Sequence, residues 1–108
     1  MDPLREYADH WFKHTALRIG HVNWLQVNAR RVSDVAEARP GFAAELREVA
    51  LAALGGTDRE LVHRALATLA VVGTEPDLAA IDAFTNSPDS WVAGAARTAS
   101  FEIRHRAV

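Results

Sequence analysis

The chain has 108 residues, a length typical of one domain, and 49% of its residues are hydrophobic. Its 12 basic and 14 acidic residues give a formal net charge of −2. This balance argues against a general nucleic-acid binder, because such proteins contact phosphates through an excess of Lys and Arg. The chain contains no cysteine, which excludes disulfide bonds, thiolate metal sites and cysteine nucleophiles.

The sequence carries no sign of a membrane or secretory segment. No hydrophobic stretch approaches the roughly 20 residues that a membrane-spanning helix needs. The first seven residues include Asp2 and Glu6 and lack the apolar region of a secretory signal. We therefore expect a cytoplasmic protein that binds no membrane.

Prolines and glycines divide the chain into six segments. Pro3, Pro40, Pro76 and Pro88 lie near segment starts, where the N–H that proline lacks would have no helical partner. Apolar residues recur at helical spacing in every segment, and none shows the alternation of a β-strand. The chain is thus predicted to be all-α. The predicted helices cover residues 3–19, 21–38, 42–54, 57–72, 77–85 and 87–106.

The first three predicted helices each carry one apolar stripe, which we expect to be buried. Their stripe residues are Leu4, Ala8, Trp11, Phe12, Thr15 and Ile19, then Val22, Leu25, Ala29, Val32 and Ala36, and then Phe42, Leu46, Val49, Ala50, Ala53 and Leu54.

The fourth predicted helix begins at the cap Thr57 or Asp58, and Glu60 follows in its first turn. The fourth and sixth stripes are wide, which is typical of helices that pack against neighbours on more than one side. The stripe residues of the last three helices are Leu61, Val62, Ala65, Leu66, Leu69 and Val72, then Leu78, Ile81 and Phe84, and then Val92, Ala96, Ala99 and Ile103.

The fourth and sixth segments overlay when the chain is shifted by 31 residues. This shift aligns Asp58 with Asp89, and Val72 with Ile103. A period near thirty residues is typical of a solenoid of supersecondary units. Because the loops are short, we expect each unit to be an antiparallel pair of helices. A helical bundle with an accidental repeat is the alternative.

The residues 58–73, followed by 77–84 and 89–92, resemble HEAT repeats in their short bacterial form, related to phycobilisome-lyase repeats. In that family the second helix opens with Asp, continues with aliphatic and small residues, and ends in Gly. The chain departs from the pattern at Val62 and Ala93, where the family commonly has the Arg of an inter-repeat Asp–Arg ladder. The resemblance implies an α-α superhelix of about three units, at residues 3–38, 41–73 and 75–106.

The resemblance also implies that the second helix of each unit lines a concave surface. Asn28, Arg31, His63, Arg64 and Arg97 would lie there and offer hydrogen-bond donors to an acidic or polar partner. Alternatively, each belongs to an ordinary hydrophilic helix face, or, for His63, to the core.

Three tryptophans require separate interpretations. Trp11 falls on its helical stripe and is predicted to be core, whereas Trp24 and Trp91 only adjoin their stripes. Because Trp is enriched at binding hot spots, we predict Trp24 and Trp91 as exposed anchors for a partner. The alternative is that they fill gaps among the many Ala residues.

His10 and His14 lie four residues apart, so one helix face would present both imidazoles as weak metal candidates. A third ligand at suitable spacing is missing from the sequence. The sequence also contains neither a Gly-x-Ser-x-Gly elbow nor a phosphate-binding glycine loop. We therefore predict no metal, no cofactor and no catalytic residue.

The sequence favours a non-catalytic protein-protein interaction module that acts as an adaptor, a scaffold or an inhibitor of its partner. Because Trp91, Val92 and Phe101 face several sides of the last helix, we expect one repeat end to be covered by the partner or by a second copy. One alternative is a lyase-like or small-ligand-binding protein that uses His63. Another is a nucleic-acid-binding HEAT-like protein, which would use Arg30, Arg31, Arg39, Arg104 and Arg106.

Overall fold

The computed structural model describes residues 2–15, 17, 19 and 23–107, and across these residues the chain is all-helical, as predicted. None of the described helices combines the length and apolarity that crossing a bilayer requires. The helices are α1 (Pro3–His14), α2 (Trp24–Ala38), α3 (Phe42–Ala53), α4 (Arg59–Val72), α5 (Leu78–Asp82) and α6 (Ser90–Ala107), with a 3₁₀ turn (Glu75–Asp77) before α5.

Aspartate side chains fix the starts of α4 and α6. Asp58 Oδ1 accepts a hydrogen bond of 3.0 Å from the backbone N–H of Glu60. Asp89 Oδ1 accepts the equivalent bond of 3.1 Å from Trp91. A cap of this kind contributes about 1 kcal/mol, because it satisfies an N–H that has no helical partner. Asp58 and Asp89, which the 31-residue shift aligns, thus both cap the start of a helix.

Two helices are shorter than predicted. α1 ends at His14 and not at Ile19, and the backbone of Thr15 is already extended. α5 covers only five residues, and i→i+3 turns continue the chain to Ser87. The residue before Pro88 is pushed out of helical conformation, which explains why the helix does not run on into α6. The predicted start of the second helix, at His21 and Val22, lies outside the described residues.

The helices pack around α4, which lies against α2, α3 and α6. α1 packs against α3, and α5 packs against α6. The α3–α4 and α5–α6 pairs are therefore helical hairpins, whereas α1 has α3, and not α2, as its main neighbour. The predicted unit boundaries stay a prediction. The largest fully buried hydrophobic side chains of this core are Phe42, Leu46, Leu66, Leu69, Ile81 and Ile103.

The buried face of helix α2 overlaps the predicted stripe but is shifted from it. Val32 of that stripe is buried, and Leu25 and Ala36 are half-buried. The buried residues of α2 are Asn28 and Val32, four residues apart, whereas Ala29 of the predicted stripe is exposed. Asn28 is only 2% exposed. Its predicted placement on a partner-binding surface is therefore wrong, because Asn28 lies one turn before Val32 on the side of α2 that packs against the core.

Two arginine–aspartate pairs join positions that are 30 residues apart. The Nε and Nη2 atoms of Arg47 lie 2.7 and 2.6 Å from the carboxylate oxygens of Asp77. Arg59 contacts Asp89 in the same two-pronged way, at 2.6 and 3.0 Å. These pairs connect consecutive predicted units, as an Asp–Arg ladder would. Their arginines come from positions other than those of the family pattern.

Candidate functional site

The side chains of His63 and Trp91, both predicted to bind a partner, stack face to face. Their ring centroids are 3.7 Å apart and their planes differ by only 7°. His63 lies on α4, and Trp91 lies in the first turn of α6, where the Asp89 cap fixes the backbone. Because α4 and α6 pack side by side, residues from two predicted units form a single site.

Arg59 adds a cation to this cluster. It lies one turn before His63 on α4, and its guanidinium carbon is 4.5 Å from the centroid of the Trp91 ring. The Arg59 hydrogen bond to the Asp89 carboxylate is the main reason why the pKa of Asp89 is lowered to about 2. The Trp91 side chain nevertheless stays 42% exposed. The cluster thus presents an aromatic surface that is already held in place.

The surroundings of His63 favour the neutral form of its imidazole. Burial lowers its pKa from the ordinary 6.5, and the positive charge of Arg59 lowers it further. The Asp89 carboxylate acts in the opposite direction but does not outweigh these two effects. His63 therefore contributes an uncharged ring that covers part of Trp91.

A shallow groove of about 330 Å³ lies beside the stacked rings, between α4 and α6. Gly94 lies on its exposed side, where a Cβ atom would meet no atom of another described residue within 4 Å. The residues that line the groove are Ile19, His63, Ser90, Trp91, Gly94, Ala95 and Thr98.

The groove continues along α6 as an exposed row that we call the outer stripe, formed by Trp91, Gly94, Thr98, Phe101 and His105. Its residues are spaced alternately by three and four positions, so they share one helix face. Phe101 is 63% exposed, and the His105 ring stacks beside it at 5.7 Å. The sequence shows the three-four spacing of this row, but the buried stripe of the same helix has helical spacing too.

Two arginines follow one side of the outer stripe. Arg97, a predicted partner-binding residue, is exposed and forms no ion pair with any described residue. Arg104 lies two turns later, and its Nη2 atom is 2.6 Å from Asp82 Oδ2. This flank of the stripe therefore carries one uncompensated positive charge and one that is partly neutralised.

Arg64, Arg31 and Trp24 lie away from this cluster. The guanidinium of Arg64 donates hydrogen bonds to the carbonyl oxygens of Phe12, at 3.2 Å, and Lys13, so it closes the C-terminal end of α1. Trp24 is half-buried against the core, whereas Arg31 is exposed on α2. The structure thus brings His63, Trp91 and Arg97 to one surface and leaves the other predicted residues elsewhere.

His10 and His14 are both exposed, with ring centroids 4.3 Å apart, as their spacing predicts. No group of three His, Asp or Glu side chains that could hold a metal ion occurs among the described residues. Lys13 pairs with Asp9 at 3.0 Å on the same helix. The two imidazoles therefore form a surface pair without a third described ligand.

A larger groove, of about 580 Å³, lies between α2, α3 and the end of α4. Its walls are mostly Ala and Val, and the guanidinium of Arg47 is already engaged by Asp77 and Glu48. His63, which the small-ligand alternative requires, does not line this groove. That alternative stays a prediction.

Comparisons with known proteins add no relative. No protein-family model, no curated protein and no solved structure matches the chain. The HEAT resemblance therefore stays a prediction from the residues themselves.

Proposed function

We propose that this chain is a protein-binding module that holds its partner on the outer stripe and the adjoining groove of α6. The observation that carries the proposal is the Trp91 cluster. Trp91 is exposed, yet His63 stacks on its ring and Arg59 lies 4.5 Å from the ring centroid. An aromatic side chain that is ordered before binding loses little conformational entropy when a partner covers it.

The distribution of exposed apolar side chains supports the same surface. Among the described residues, the large hydrophobic side chains that are clearly exposed are Trp91, Phe101 and Val27. Two of the three lie on the outer stripe, and the third lies on α2. Paired exposed aromatics with a charged flank are typical of protein interfaces, in which an apolar centre is surrounded by a polar rim.

The proposed activity is binding without chemistry, in an adaptor, scaffold or inhibitor of a cytoplasmic partner. The two stacked imidazole–aromatic pairs act in this proposal as fixed contact surfaces. His63 covers one face of Trp91, and His105 lies beside Phe101. The proposal requires no proton transfer by either imidazole.

The test compares three forms of the protein in affinity capture from the lysate of its source cells. We expect the double variant Trp91→Ser, Phe101→Ser to lose captured proteins that the wild type retains. The variant Val27→Ser removes an equally exposed side chain from α2 and is expected to capture the same proteins as the wild type. Thermal unfolding confirms that all three are folded. Identical capture by the double variant and the wild type would contradict the proposal.

A further inference from the structure

Gly94 lies within the first half of α6, at an exposed position where glycine lowers helix stability relative to alanine. The packing of the described residues does not require it, because a Cβ would meet none of their atoms within 4 Å. Gly73 is different, since a Cβ there would collide with the carbonyl of Leu69 and the side chain of Ile103. Among the described residues, none fills the space beside Gly94.

The shape around Gly94 suits a helix lying along α6. The outer stripe repeats every three and four residues, which is the spacing at which two helices make side-chain contacts. Trp91 and Thr98 stand on either side of Gly94 and leave the groove between them open. A large apolar side chain from a second helix would fill the groove, and its next turns would cover Phe101.

The charges beside the stripe indicate which helix would fit. Arg97 and Arg104 lie seven residues apart on one flank of the stripe, whereas Glu102 lies on the opposite flank. In an antiparallel pair of α6 helices, these arginines would face those of the second copy, and like charges would repel. A parallel pair would set Gly94 against Gly94 and leave the groove unfilled. A partner with carboxylates at its flank would instead neutralise Arg97.

We propose that the outer stripe binds an amphipathic helix of another protein that carries Asp or Glu beside its apolar face and inserts one large aliphatic side chain next to Gly94. This inference rests on the proposed function, because it names the partner chemistry of the same surface. A second copy of this chain is the competing occupant.

The test uses two helix-forming peptides as probes. Both carry the same Leu stripe on an Ala background, and one has Glu and the other Lys at the flanking positions. Isothermal titration calorimetry and Trp fluorescence measure their binding to the wild type, Arg97→Glu and Gly94→Leu. Because exposed ion pairs contribute modestly, we expect the Glu peptide to bind the wild type about five- to tenfold more tightly than the Lys peptide.

Two variants check the charge and the groove separately. Arg97→Glu is expected to abolish or reverse the preference for the Glu peptide. Gly94→Leu is expected to weaken binding of that peptide at least about tenfold, because the added side chain occupies the groove. Gly94→Ala, which adds only a Cβ, is the matched control for helix stability. Thermal unfolding shows whether each variant is folded.

Four results would overturn the inference. Equal binding of the two peptides would contradict the preference for acidic flanking residues. Unchanged binding of the Glu peptide to Gly94→Leu would contradict the insertion of a side chain into the groove. Failure of both peptides would refute the partner chemistry, while the capture experiment with Trp91 and Phe101 variants would still decide the proposed function. If sedimentation velocity shows that the wild type is a dimer and that Gly94→Leu is a monomer, the surface binds a second copy of this chain.

Discussion

Removing the carboxylate of Asp77 should destabilise the protein more than any exposed charge change. Asp77 is 4% exposed and accepts hydrogen bonds from Arg47 Nε and Nη2 at 2.7 and 2.6 Å. The backbone N–H and the hydroxyl of Thr74 add bonds of 2.8 and 3.1 Å. One side chain thereby links α3 to the start of the last hairpin.

The expected magnitude for Asp77→Ala follows from the groups it leaves behind. Loss of one partner of a buried ion pair costs about 3–5 kcal/mol, because the other charge stays buried without compensation. The Arg47 side chain is 25% exposed and retains Glu48 at 3.0 Å, so water and Glu48 reduce the loss. We therefore expect a decrease of about 3 kcal/mol in the free energy of unfolding.

Urea unfolding of Asp77→Ala, Arg47→Met and the double variant measures this loss and the coupling between the two residues. The matched control is Asp82→Ala, which breaks the exposed pair with Arg104 and should cost no more than about 1 kcal/mol. A decrease in unfolding free energy of less than about 1 kcal/mol for Asp77→Ala would refute the reasoning, since the Arg47–Asp77 pair would then contribute no more than an exposed ion pair.

The same pair predicts a pH dependence. Burial alone would raise the pKa of Asp77, but the hydrogen bonds from Arg47 and Thr74 outweigh it and lower the pKa below 3.8. The folded protein thus binds this proton less readily than the unfolded chain. The stabilisation is complete above pH 3.8 and is lost as the pH falls through the lower pKa of the folded state. Asp77→Ala should remove this part of the acid dependence.

Three further changes test single features of the fold and the site. Thr68 is 1% exposed and its hydroxyl has no hydrogen-bond partner among the described residues, so Thr68→Val should raise the free energy of unfolding by about 1 kcal/mol in urea melts. Gly94→Ala should also raise it, by about 0.8–1 kcal/mol, because alanine favours the helix and its Cβ meets no neighbour; a loss of stability would show that Gly94 is needed for packing. Because the pKa of His63 is lowered in the folded state, the protein should lose stability as the pH decreases below 6.5. The difference in unfolding free energy between pH 7.5 and pH 5.5 should be smaller in His63→Gln than in the wild type. An equal difference in the two proteins would contradict the assigned burial of His63.

The helical fold could be predicted from the sequence because its signals are local. Prolines and caps mark the helix starts, and the apolar spacing identifies the buried face of α6, where Val92, Ala96 and Ile103 are all buried as predicted. Which helices become neighbours is a property of the whole chain. The packing of α1 on α3 could not be predicted for this reason.

The site could be predicted only in part. Trp91 and His63 were selected separately, and their contact depends on the side-by-side packing of α4 and α6. The sequence analysis does not predict Arg59 as a site residue. Its spacing offers a signal, because Arg59 lies one helical turn before His63 and 30 residues before Asp89, close to the repeat period. The HEAT resemblance places Asn28 on a concave surface, and only the orientation of α2 shows that it is buried.

The most direct test of the central claim is photo-crosslinking in the source cells. A benzophenone-bearing amino acid replaces Phe101 in one form of the protein and Val27 in the other, since both positions are exposed and lie on different helices. The proposal predicts that illumination gives a discrete adduct with another protein at position 101 and none at position 27. Adducts of equal yield at both positions, or no adduct at position 101, would contradict the assignment of the binding surface to α6.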